Sequence, residues 1–286
     1  MATERAMLIQ LVQMINDDKM VLPSLPEVAM NVRNLAVTKS VALERLVQEI
    51  NKDPALAARM VALANSAGFG GDRQADSLSK AAKRLGEELL RNQASAAAMH
   101  QLFFTEQPTA WEVLETLWQS NIEVASCALG VLACQHEQGS LLHLNSDTLL
   151  LACQVHNIGA LPLIKQFERY PHLFTDHERL MRVIERLSPQ LGEAVLKHWN
   201  FPPELVETAR YWADLSYQTP SHSYLDLVRL AAIYSRKLVL VDPLPSTLDL
   251  FVRKGVIPNL ELFGKETYFM TYNEVMRNLA RSTETA

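Results

Sequence analysis

Between its prolines and glycines, the apolar residues of this chain recur at three and four positions, and no stretch shows convincing alternation at two. Recurrence at i, i+3, i+4 and i+7 puts apolar groups on one face of a helix, whereas a half-buried strand needs alternation. This pattern restricts the chain to the all-α class. Residues 53–67, DPALAARMVALANSA, show it most fully. Asp53 is placed to accept a hydrogen bond from the free N–H groups of a first turn. Pro54 follows at the first helical position, where its missing N–H costs nothing. Leu56, Met60, Leu63 and Ala64 then share a face, and the alanines between them let neighbouring helices approach closely. Asn65 and Ser66 stand where their side chains can tie the last turn to the next loop.

The same reading extends along the chain. Residues 4–19 repeat Leu8, Leu11, Val12 and Ile15 as an amphipathic opening helix. Ser24 and Glu27 have capping-box spacing ahead of Val28, Val32 and Leu35. Ser40 is expected to cap a helix that buries Leu43, Leu46, Val47 and Ile50. Residues 68–72 are glycine-rich, but no strand precedes them and no Gly-Lys-Ser/Thr follows, so they read as a loop and not as a phosphate cradle. Residues 77–86 form a short helix from Ser77 to Gly86, and residues 87–104 a longer one. Residues 105–108 mark a boundary between two helical lobes, 1–105 and 106–286. Thr109 and Glu112 have the spacing of a second capping box, opening a long apolar helix through Trp118 to Cys134. Further helices are expected over 148–156 (ended by Gly159, with Pro162 beyond), 176–187, 189–199, 203–212, 224–241 and 265–281.

Composition narrows the partners. The 286 residues carry a formal net charge of −5, with an isoelectric point near 5.9. That balance argues against broad binding to nucleic acid or anionic membrane. Lys80, Lys83, Arg84 and Arg91 form a small basic cluster, the only feature favouring DNA, and a solvated face accounts for them. Cys127, Cys134 and Cys153 contain no C-x-x-C and read as small core residues of a reducing compartment. No apolar run has the length of a membrane span, and the first residues lack a signal-peptide pattern. A cytoplasmic protein is expected.

Several segments, in order, resemble the HDOD family, a helical relative of the HD phosphohydrolases. Leu22-Pro23-Ser24-Leu25-Pro26 is similar to its opening L-P-x-L-P, and residues 53–67 to its central signature. Residues 77–86 resemble S-L-x-x-A-I-x-x-L-G, with Ala82 for the usual Ile. Leu117-Trp118-Gln119-Ser120-Asn121 resembles L-W-x-H-S, and Val155-His156-Asn157-Ile158-Gly159 resembles L-H-D-I-G. Leu191-Gly192-Glu193-Ala194 with Trp199-Asn200-Phe201-Pro202 resembles I-G-A…W-x-x-P. The likeness covers about residues 22–238 and implies an HD-like, two-lobed helical bundle. It also implies a bacterial signalling or regulatory role.

HD enzymes bind divalent metal through an early His, the His-Asp doublet and a later Asp, and the metal activates water against a phosphate ester. By the resemblance, the early His position holds Ser120, the doublet reads His156-Asn157, and the late Asp falls at Ala232. A neutral amide oxygen is a much poorer ligand than a carboxylate, and one His cannot hold a catalytic metal. Asp147 and Asp226 are carboxylates elsewhere, but no spacing draws them to this set. We therefore expect no catalytic residues, no metal site and no cofactor, and so no HD-type enzyme. A vestigial polar pocket of Ser120, His156, Asn157 and Ala232 is expected to persist. With no length left for a receiver or output domain, the partner would be a protein or a small ligand, not nucleic acid or membrane. The alternative is a metal-dependent phosphohydrolase acting on a nucleotide or cyclic dinucleotide.

Overall fold

The computed structural model describes residues 9, 12–15, 17, 19–37, 43–65, 74–100, 102, 105–169, 176–238 and 244–284. Among them there is no strand. The all-α class stands. After helical residues at 12–15 come α1 (Glu27–Val37), α2 (Leu43–Ile50), α3 (Pro54–Ala64), α4 (Leu78–Leu85) and α5 (Glu87–His100). Then comes α6 (Pro108–Glu137), whose 30 residues span roughly 45 Å at 1.5 Å per residue. It is followed by α7 (Ser146–Val155), α8 (Ala160–Arg169), α9 (His177–His198), α10 (Pro203–Tyr211) and α11 (Tyr224–Tyr234). The described chain closes with α12 (Leu244–Arg253), a 3₁₀ turn (Leu260–Gly264) and α13 (Glu266–Glu284).

α6 is the shaft of the second part: α7, α9, α11 and α13 all pack on it. α1 lies on α5, and α3 on α4 and α5. α5 packs on α7, and α13 reaches α3. The buried apolar residues form one cluster that runs through both parts.

α3 forms as its sequence dictates. Asp53 accepts a hydrogen bond from the Leu56 N–H at 3.0 Å, a cap that contributes about 1 kcal/mol. Leu56, Met60, Leu63 and Ala64 are buried. Asn65 then clasps the returning chain: its Nδ2 donates to Ala75 O at 2.8 Å, and its Oδ1 accepts from Ala75 N–H at 2.7 Å. Arg84 donates to Ala64 O and Asn65 Oδ1, Lys80 pairs with Asp76, and Arg91 pairs with Glu87. Three of the four basic-cluster residues thus have local partners. Ser77 and Gly86, the latter at φ +79°, bound α4 as expected. The three cysteines are buried and unbridged, and burial pushes the Cys127 thiol up to about 12.

Five local expectations are corrected. α1 starts at Glu27, with the Met30 N–H bonded to Pro26 O, so Ser24 lies too early to cap it. α6 starts at Pro108 with Gln107 as its uncapped boundary, which places Thr109 inside the first turn. Pro162 does not follow a helix but lies in the first turn of α8, where a free N–H is lost anyway. Ser188-Pro189 does not interrupt α9. One turn lacks a bond there, and the buried face of Leu180, Ile184, Leu187, Leu191 and Val195 carries the helix through. α11 ends at Tyr234, not near 241. Most of the expected opening helix, Ser40, Ser66 and residues 68–72 lie outside the described residues. The expectation that no apolar run reaches the length of a membrane span is also corrected: Ser146–Glu168 has that length and composition, but it is mostly buried inside the fold.

Candidate functional site

α7 delivers His156 and Asn157 into the interior. His156 caps the end of α7 in right-handed geometry, and the chain turns through Gly159 into α8. The turn crosses α9 at backbone contact. A Cβ on Gly159 would lie 2.0 Å from Ser188 O and 2.4 Å from Gly192 N, so only glycine fits. The close crossing brings Ser188 to the same cavity as His156.

His156 is 1% exposed. Its Nδ1 lies 2.7 Å from Cys153 O, and a carbonyl only accepts, so Nδ1 carries the proton. Nε2 is left as a lone-pair acceptor with no partner. Burial pushes the imidazole down to about 4, so it is neutral at pH 7. The ring meets Trp212 edge to face, with centroids 4.8 Å apart and planes at 80°. Two further buried polar atoms beside it are unpartnered, Trp212 Nε1 and Ser188 Oγ. All three residues line one cavity of about 170 Å³, with Ser120, Asn157, Met181, Arg236 and Lys237.

Asn157 faces another way chemically. Its Nδ2 donates to Asn121 Oδ1 at 2.8 Å, and Asn121 Nδ2 donates back to Asn157 Oδ1 and to Gln154 O, both at 3.2 Å. The doublet amide is occupied by a neighbouring amide on α6. Ser120 is half-buried at the wall. Ala232 is fully buried in α11 and does not line the cavity. Its carbonyl instead accepts the Lys237 N–H at 2.8 Å, in a closing turn where Arg236 takes φ +55°. That turn presents Arg236 and Lys237 to the cavity, and Lys237 is tied to Glu123 at 2.9 Å. Glu185, also on the lining, has its carboxyl raised by partial burial, with Arg182 opposing.

The structure thus brings together Ser120, His156 and Asn157 and leaves Ala232 outside. It adds Asn121, which lies in the same motif-like segment as Ser120, and Ser188, Trp212, Arg236 and Lys237, which carry no sequence signal because they reach the cavity from other elements. Asp226 is spent elsewhere, capping α11 and pairing with Lys254 at 2.7 Å. The donors around the cavity do not suit the divalent metal of an HD enzyme. One imidazole nitrogen, the Ser120 and Ser188 hydroxyls, an amide already in use and the single carboxylate of Glu185 do not make the His- and Asp-rich ligand set that such a metal needs. Among the described residues no three His, Cys, Asp or Glu side chains are grouped to hold a metal ion.

Comparison with known proteins places this geometry. The HDOD domain model matches residues 22–215. The crystal structure of a provisionally named metal-dependent phosphohydrolase from Shewanella amazonensis SB2B is 35% identical, with a TM-score of 0.88 over 98% of this chain and 100% of that one. An HDOD domain protein of unknown function from Geobacter sulfurreducens shares the fold at 21% identity and TM-score 0.64, over 93% of this chain and 94% of that one. So does a provisionally named signal transduction protein from Marinobacter aquaeolei VT8, at 20% identity and TM-score 0.69, over 99% of this chain and 66% of that one. An uncharacterized protein of Treponema pallidum (strain Nichols) is 26% identical over 236 residues. The match takes in 77% of this chain but 43% of the relative's length.

Proposed function

The chain belongs to the HDOD family, and from that premise we propose that it is a regulatory signalling module that works by binding, with the cavity at His156 as its ligand site. The observation that carries the reading is the convergence of three buried, unpartnered polar atoms, His156 Nε2, Ser188 Oγ and Trp212 Nε1, on one cavity. Each costs about 1–3 kcal/mol unmet, a penalty that a bound group recovers. His156 Nε2 asks for a donor and Trp212 Nε1 for an acceptor, while Arg236 at the rim favours negative charge. A volume of about 170 Å³ admits a ring-sized group, not a whole dinucleotide, so a larger ligand would insert one end. The name of the Shewanella amazonensis structure keeps metal-dependent phosphohydrolysis as the competing reading. A donor set with one imidazole and one carboxylate, Glu185, argues against it.

The test uses purified full-length protein with Mn²⁺, Mg²⁺, Fe²⁺ or Ni²⁺ against nucleotides, cyclic dinucleotides and generic phosphoesters, beside H156A. We expect no turnover. The same compounds are then screened by calorimetry for binding. The expected signature is saturable binding that Trp212→Phe and Ser188→Ala weaken. Metal-dependent turnover lost in H156A overturns the binding reading.

A further inference from the structure

A second cavity, of about 240 Å³, opens beside the C-terminal half of α6, where α3, α5, α7 and α13 meet it. It shares no residue with the cavity at His156. Its walls are mainly apolar, with Leu89, Leu132 and Leu150 among them. Its polar groups are chiefly acceptors. Asp147 and Glu274 bring carboxylates, and among the described residues neither forms an ion pair. Asn278, 6% exposed, has an Oδ1 with no partner. His136 Nε2 lies 3.2 Å from Leu141 O, so that nitrogen donates there. No Lys or Arg is among the described residues lining it.

We propose that this cavity is a second binding site, and that it takes a small amphipathic organic cation, its ammonium group answering Asp147 and Asn278 Oδ1 and its apolar body lying on the leucines. A dry cavity of about 150 Å³ already takes up benzene, so the room here suffices for a body of that size with a polar head. An apolar ligand alone would leave Asn278 Oδ1 unmet, and an anion would meet carboxylates. The Asp147 carboxyl is raised by burial and by Glu88 nearby, and the positive charge of an incoming cation favours its ionised form against both. Because the walls come from α3 and α5 as well as α6, α7 and α13, an occupant touches both parts of the molecule.

The experiment titrates the full-length protein with n-hexylammonium chloride, n-hexanol and sodium hexanoate, read by calorimetry and by amide shifts of the cavity residues. Hexylammonium is expected to saturate and to bind roughly tenfold or more tightly than hexanol, as one charge-assisted hydrogen bond implies. Asp147→Asn is expected to remove that preference while leaving hexanol binding unchanged. Should that variant fail to fold, Asn278→Leu tests the same preference through the other acceptor. Equal binding of the alcohol and the ammonium, saturable binding of hexanoate, absence of saturation by hexylammonium, or a preference that survives in the folded variants overturns the proposal.

Discussion

Asn157 and Asn121 hold each other through both ends of their amides, and this arrangement constrains what a single change can do. In Asn157→Asp the new carboxylate still accepts from Asn121 Nδ2 but no longer donates, so Asn121 Oδ1 is stranded in a buried position. We expect a loss of about 1–3 kcal/mol in urea unfolding and no metal-dependent phosphoesterase activity. Activity gained by that one change would mean that the ligand set has been misassigned. His156 gives a pH signature. Its folded pKa is depressed from 6.5 to about 4, so between those values the unfolded chain binds the extra proton. Stability is therefore full above about pH 6.5 and falls as pH drops toward 4, by up to about 3 kcal/mol from this group. His156→Gln should flatten that part of the profile. Ser188→Ala removes an unpartnered hydroxyl, and it is expected to leave stability unchanged or raise it by about 1 kcal/mol, even as it weakens ligand binding.

At the scale of elements, the site depends on the crossing of the α7–α8 turn with α9. Gly159 and Gly192, the glycines of the two family-like motifs, meet there. A Cβ at Gly159 would strike backbone at 2.0 Å, whereas one at Gly192 would meet the Ala209 side chain at 3.3 Å. Gly159→Ala should therefore cost more than about 4 kcal/mol or prevent folding, and Gly192→Ala should be clearly milder. Denaturant midpoints of the two variants decide this, and equal losses would place the crossing elsewhere. The crossing also explains what was legible beforehand. The bounds of α3 and α4 were readable because Asp53, Pro54, Ser77 and Gly86 act locally. Pro162 and Pro189 misled because a proline's local signal says nothing of a first-turn position or of a buried face that keeps the helix whole. His156, Asn157 and Ser120 came from sequence segments resembling known motifs. Ser188, Trp212 and Arg236 reach the cavity only through the packing of α9, α10 and the end of α11, and no spacing along the chain encodes that.

Across the whole molecule, the two parts are joined by more than the chain at residues 105–108. The Gln93 amide on α5 faces the Gln154 amide on α7 in a reciprocal pair at 3.4 and 3.5 Å. Trp199 Nε1 at the end of α9 donates to Pro23 O at 2.8 Å, tying the segment before α1 to the second part. The apolar core is continuous across the boundary, so losing one part would expose buried surface on the other. This predicts a single cooperative transition. The four tryptophans, Trp111, Trp118, Trp199 and Trp212, all lie after residue 105, so their fluorescence reports the second part and, through Trp118 and Trp199, its seam with the first. Far-ultraviolet circular dichroism reports helices of both. In urea the two signals should share one midpoint and one slope. A helical phase that precedes the tryptophan signal would mean that the first part unfolds by itself. In Trp199→Phe, which removes the donor to Pro23 O, the common midpoint should fall by an amount worth about 1 kcal/mol without splitting.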